Sequence, residues 1–130
     1  MTDGLDLDLH VLLILGVSVA NSPTARSLQY CRSRGLPASV VERWNPHAKI
    51  RQDAFGFIDL IVLDTDAHAI IGVQATSASN HAARRRKILA EPKALAWSNA
   101  GGLIEVWSWS KRAGVTKRLV WTLRREEVCP

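Results

Sequence analysis

Asp59 is the residue whose placement most needs a chemical reason. It interrupts the run Phe55-Gly56-Phe57-Ile58-Asp59-Leu60-Ile61-Val62-Leu63, which is otherwise apolar on both faces. Such a run reads as a strand in the middle of a covered sheet. An unpaired carboxylate there costs on the order of several kcal/mol unless a cation or a metal offsets it. No Lys or Arg lies between Ile58 and Ser79. Asp64-Thr65-Asp66-Ala67-His68 supplies turn residues, and Ala69 to Val73 is a second apolar run ending in Gln74-Ala75-Thr76, so the two runs form a hairpin. With Thr65 to His68 as the loop, Asp64 faces Ala69 and Asp59 faces Gln74, with Cβ atoms about 4.5–5.5 Å apart. Gln74 and Thr76 share one strand face. Asp59, Gln74 and Thr76 therefore converge, and the Ala75 carbonyl adds another hard oxygen. Oxygen donors of this kind suit Mg²⁺ or Mn²⁺, which keep waters and accept phosphate. The alternative is a carboxylate held by Arg51, Arg84 or backbone N–H groups, with Gln74 a buried amide satisfied within the sheet.

Other chemistries find little support. His10, His47, His68 and His81 show no HxH or HExxH spacing, and Cys31 and Cys129 fit no CxxC pattern, which argues against zinc. There is no Ser-His-Asp constellation and no phosphate-cradling glycine loop. Arg84-Arg85-Arg86-Lys87 cannot all face one way on a helix, because successive residues turn by about 100°. At most two point toward a site, and the others form a solvated or phosphate-contacting face. Lys87 also has Glu91 as an i,i+4 partner.

An Asp in one strand of a hairpin, followed by an acid or amide, a spacer and a catalytic residue in the next, resembles the PD-(D/E)XK nuclease superfamily. Its small resolvase-like phage and bacterial nucleases are the nearest in feel. The segments Arg51-Gln52-Asp53-Ala54-Phe55-Gly56-Phe57-Ile58-Asp59-Leu60 and Ile71-Gly72-Val73-Gln74-Ala75-Thr76-Ser77, with the basic helix after them, carry the resemblance over about residues 22–125. It implies a restriction-endonuclease-like αβββαβ core and Mg²⁺-dependent hydrolysis of DNA phosphodiesters, branched DNA included. Asp59 would be the metal-binding aspartate, and Gln74 would take the place of the family's Glu. Two departures stand out. Thr76 occupies the usual lysine position and cannot supply its charge; Lys87 or Arg84, on the following helix, is the candidate to replace it. The first helix lacks the Glu many members place there. Gln29 is the nearest substitute, and Glu42 or Asp53 would complete the acidic set. Asp53 comes near Asp59 if the strand stays straight through Gly56; otherwise it is a turn residue paired with Arg51. Many relatives act as dimers, because cutting two strands needs two sites, so a homodimer is an option.

The elements that must position these residues can be read in order. Asn21-Ser22-Pro23 starts a helix that Gly35 and Pro37 stop. Ser39 to Trp44 reads as a short strand closed by Asn45-Pro46. The hairpin follows, then capping residues Ser77 to Asn80 and a helix His81 to Ala90. Pro92 kinks or restarts that helix, and Gly101-Gly102 ends it. Leu103 to Trp109 and Leu119 to Leu123 are alternating strands joined around Ala113-Gly114. The order α-β-β-β-α-β-β predicts an α/β domain, a mixed central sheet flanked by helices. Trp107 and Trp109, on one strand face, read as core rather than base-stacking rings, and Trp44 and Trp121 as core or rim.

The 130 residues suit one domain, over 21–130, with 1–20 a separate extension. Within the extension Val11 to Val19 has signal-peptide length. However, Asp3, Asp6 and Asp8 precede it where a secretory signal needs positive charge. No apolar run is long enough to span a bilayer. Two distant cysteines favour a reducing, cytoplasmic setting. Residues 1–78 carry a charge balance of −2 and residues 79–130 one of +7. A basic half beside an acidic half suggests a polyanion partner. Arg51, Arg84, Arg85, Lys111 and Arg112 are the candidate DNA contacts. The expected function is a metal-dependent nuclease. The alternatives are a catalytically inactive relative that binds DNA or assembles with a partner, and an unrelated α/β module whose basic half binds RNA or protein.

Overall fold

The structure, a computed structural model, describes residues 22–130. The expectations for residues 1–20 and for His10 lie outside the described residues. Helix α1 (Pro23–Ser33) begins where Ser22 accepts a hydrogen bond from the Ala25 N–H, with Pro23 in its first turn. Gly35, at φ +69°, ends it. Three short strands follow, β1 (Ala38–Val40), β2 (Arg43–Asn45) and β3 (Ile50–Gln52), then β4 (Leu60–Asp64) and β5 (Ala69–Ser77). Helices α2 (His81–Ala90) and α3 (Pro92–Asn99) precede β6 (Leu103–Ala113) and β7 (Leu119–Glu127). Pro92 restarts the helix rather than bending it, and Glu91 caps α3 by accepting from the Lys93 N–H. Asn80 makes no capping bond to α2; its side chain turns back to Ser77.

The main sheet has five strands in the order β1-β4-β5-β6-β7, antiparallel except for the parallel pair β5–β6. The helical segment between β5 and β6 is the crossover that parallel pairing requires. Alternation along the strands divides the core. Leu60, Val62, Ile71, Val73 and Trp107 pack with Cys31 of α1 on one face. Ile58, Ile104 and Val106 pack with Ile88 of α2 and Ala94 of α3 on the other. The chain is thus α/β with a mixed sheet between helices.

Two expectations change. The run from Phe55 does not stay a strand, because Phe55 and Gly56 both take positive φ (+54° and +81°) and close a tight turn. Ala54 and Ile58 exchange both backbone hydrogen bonds across it, at 2.9 Å each, and β4 begins only at Leu60. The Ser39–Trp44 strand splits at Val41–Glu42, whose two N–H groups both donate to the single Asp59 carbonyl (2.8 and 3.3 Å). Two residues opposing one is a bulge, which bends the chain out of the sheet. Beyond it, β2 and β3 pair only with each other and form a separate two-stranded arm.

Trp107 is fully buried, and Trp109 is half-buried with its indole N–H on Ser27 Oγ, as core packing requires. Trp44 is neither core nor rim; it is 54% exposed. Cys31 is buried, Cys129 is exposed, and both are free. No helix of the described residues is long and apolar enough to cross a membrane.

Candidate functional site

The hairpin register is the one that the loop length implies. Asp64 pairs with Ala69 and Leu60 with Val73, where the ladder ends; Asp59 lies just beyond it, its N–H donating to the Val73 carbonyl at 2.8 Å, and it meets Gln74 through its side chain. Asp59 Oδ2 accepts from Gln74 Nε2 at 2.7 Å and from the Ala75 N–H at 2.8 Å. Both side chains are nearly inaccessible, at 3% and 2% exposure. Gln74 lies on the face of β5 opposite Val73, and Asp59 reaches it from the residue just before β4.

The same register logic brings in two further acids. The Ala54–Ile58 bridge sets Asp53 opposite Asp59 one step along. The β2–β3 pairing Arg43–Gln52 sets Glu42 opposite Asp53 at the base of the arm. Carboxylate oxygens of Glu42, Asp53 and Asp59 lie within 4.8 Å of one another. Asp53 reaches the site because the chain turns at Phe55–Gly56, not because a strand runs straight through it. Its partner is not Arg51, which lies 3.8 Å from Glu42. Lys87 donates to Asp53 Oδ2 at 3.0 Å, reaching down from α2. Its i,i+4 neighbour Glu91 instead caps α3.

The electrostatics follow from crowding two half-buried acids against a buried one. Burial raises the Asp59 carboxyl, and Asp53 raises it further by hydrogen bond and charge, to about 8. Burial pushes Asp53 the same way, but hydrogen bonds from Asp59 and Lys87 outweigh it and hold Asp53 below the usual carboxylate range. The pair therefore keeps a proton between them at neutral pH. Gln74 Oε1 is buried and has no hydrogen-bond partner. An orphaned amide oxygen costs about 1–3 kcal/mol. It belongs to the amide whose nitrogen already touches Asp59, so a rotation of the amide would turn that oxygen to the acids.

These groups floor a cleft of about 850 Å³. Arg43, Arg51, Arg84, Lys87 and Lys93 line it, a rim of five cations above three carboxylates. Arg43 and Lys93 escaped the sequence reading, since neither sits in a basic run. Thr24, at the start of α1, lines the cleft where the expected acid, or Gln29, does not.

Other candidates lie elsewhere. Thr76 is buried and does not line the cleft, because two residues of strand carry it about 6.6 Å past Gln74. Arg85 approaches Glu126 at 3.6 Å. Lys111 sits over the Trp121 ring, and Arg112 donates to Ser110 Oγ on the β6–β7 hairpin. His81, Ser108 and Glu126 form a hydrogen-bonded line, Nδ1 to Ser108 Oγ at 2.7 Å and Nε2 to Glu126 at 2.9 Å. Ser108 is 1% exposed, which suits a tie between α2 and the last two strands rather than a nucleophile. No family model, curated protein or solved structure matches this chain.

Proposed function

We propose that this protein is a divalent-metal-dependent nuclease that hydrolyses DNA phosphodiester bonds, built on a restriction-endonuclease-like core. The observation that carries the reading is the meeting of Glu42, Asp53 and Asp59 beside a buried amide oxygen with no partner. A site that retains a proton on a buried carboxylate near neutral pH is short of positive charge, and a divalent cation supplies it. Mg²⁺ or Mn²⁺ fits the donor set, since every available ligand is a hard oxygen. Asp59, Asp53 and Glu42 would hold the ion, with Gln74 turning Oε1 toward it. When bound, such an ion polarises a phosphoryl oxygen and lowers the pKa of a coordinated water to near neutrality.

The protein's own groups do the rest. The Lys87 ammonium stands on the wall of the cleft, beside Asp53, in reach of charge that develops on a phosphoryl group. It takes the part that Thr76 cannot. Arg43, Arg51, Arg84 and Lys93 grip the flanking phosphates and set the backbone over the acids. Hydrolysis adds water across the P–O bond: the water oxygen bonds to phosphorus, the bridging oxygen leaves, and the water's protons are shared between products and solvent.

One observation favours an inactive DNA-binding relative. Lys87 already neutralises Asp53, so an ion must compete with an ammonium for that ligand. Incubation of plasmid and branched DNA with Mg²⁺ or Mn²⁺, comparing wild type with Asp59→Ala and Gln74→Ala, separates the two. Cleavage lost in both variants supports the nuclease. Salt-sensitive binding with no cleavage by wild type supports the inactive relative and ends the nuclease reading.

A further inference from the structure

We infer that the β2–β3 arm is a strand-gripping device, and that Trp44 stacks on an unpaired base of the DNA whose backbone enters the cleft. The inference rests on the nuclease reading and gives it a substrate class: DNA with a single-stranded segment beside the scissile bond.

The arm leaves the sheet at the Val41–Glu42 bulge and pairs only with itself. A lone two-stranded ribbon is marginally stable in water, so an apolar surface on it is costly unless it is used. Yet Trp44 and Ile50 stand more than half exposed, at 54% and 51%. Trp44 is the most exposed tryptophan among the described residues, and no aromatic or cationic group covers its ring there. The contrast is Trp121, also exposed but roofed by Arg26 at 3.6 Å and Lys111 at 5.2 Å. Residues 43–52 carry Arg43, Lys49 and Arg51 and no acid. Trp44 pairs with Arg51 across the arm, which sets ring and guanidinium on one face. Arg51 also lines the cleft. A phosphate held by Arg51 therefore leaves its base within reach of the indole.

An aromatic ring beside cations that track a backbone is the arrangement that binds single strands, because every base has a face to stack. A duplex offers its grooves only base edges and keeps the faces stacked on one another. The acids also lie recessed, with Asp59 at 3% exposure, so the backbone must bend inward to reach them. An unpaired strand bends without breaking stacks.

The test is fluorescence anisotropy with the full chain in EDTA, using labelled dT oligonucleotides of about 16 nucleotides and a duplex of equal length. Trp44→Ala should weaken single-strand binding about 5- to 150-fold and duplex binding less than about twofold. Trp44→Phe should restore most of the loss, and its exposed position leaves the core intact. Equal losses on both ligands, or none, would overturn the inference. Metal-dependent cleavage that needs Asp59 but ignores Trp44 in binding leaves the nuclease reading standing and removes this one. Trp44-dependent single-strand binding without any Asp59-dependent cleavage does the reverse.

Discussion

Asp59→Asn should stabilise the protein in the absence of metal, more as the pH rises. The amide has the carboxylate's shape. Its oxygen can keep both bonds that Asp59 Oδ2 accepts, from Gln74 Nε2 and the Ala75 N–H. Its NH₂ then donates toward Asp53, where the wild type keeps a proton. What the substitution removes is the cost of ionising a buried acid. In the unfolded chain that acid titrates near 3.8, and in the folded protein near 8. Below 3.8 both states are protonated and the group is neutral in its effect. Between 3.8 and 8 the unfolded state loses its proton while the folded state keeps it, so wild-type stability falls as pH rises. Above 8 both are ionised and the full cost remains. At pH 7 the penalty is on the order of 4 kcal/mol from 1.36 kcal/mol per unit, an upper value. Urea denaturation in EDTA at pH 5 and pH 8 measures it, the difference between variant and wild type cancelling titrating groups outside the Asp53–Asp59 pair. The variant's advantage should grow by roughly 2–4 kcal/mol between those pH values. Mg²⁺ or Mn²⁺ should close the gap by stabilising only the wild type. A variant advantage that is flat with pH, or a variant less stable at both, would refute the buried-acid account.

Further outcomes follow from other contacts. Cleavage by wild type should rise from pH 6 to pH 8.5 as Asp59 loses its proton to solvent and becomes free to bind a metal, so a rate that falls across that range would contradict the ligand role. Lys87→Ala should lower the single-turnover cleavage rate by about 10²-fold, with Lys87→Arg retaining part and DNA affinity changing far less. Gly56→Ala forces a side chain at φ +81° and against the Glu91 carboxylate, and should cost about 1–2 kcal/mol in urea unfolding. Arg125→Ala leaves Glu105, which is 9% exposed and receives Arg125 Nε at 2.8 Å, without its cation and with the Trp107 indole N–H as its remaining donor, and should cost about 3 kcal/mol by the same assay.

Local rules made the hairpin legible. Loop length set the register as far as Leu60 and Val73, which leaves Asp59 and Gln74 side by side where the ladder ends, and the helix after β5 carried Lys87 back over them. The α/β order with a mixed sheet was legible for the same reason, since caps, prolines and glycines mark the element ends. Asp53 was legible only as an alternative, since apolar residues mask the turn at Phe55–Gly56; a phenylalanine at positive φ is rare and carries no warning. Glu42 was likewise legible only as an alternative, since no pattern of residue types announces the Val41–Glu42 bulge that brings it to the other two acids. Thr76 was misplaced because sharing a strand face does not mean sharing a site, given the rise per residue. Trp44 was read as core or rim because its segment looked like one strand of the main sheet, and the split at the bulge carried it outward.

The bulge and the tight turn have one more consequence. Glu42 is the last residue before the arm and Asp53 the first after it, so the arm is a lever whose fulcrum is made of two of the three acids. Any change in the tilt of the arm would be felt first at those two carboxylates, and under the metal reading proposed above it would alter how closely they can approach an ion.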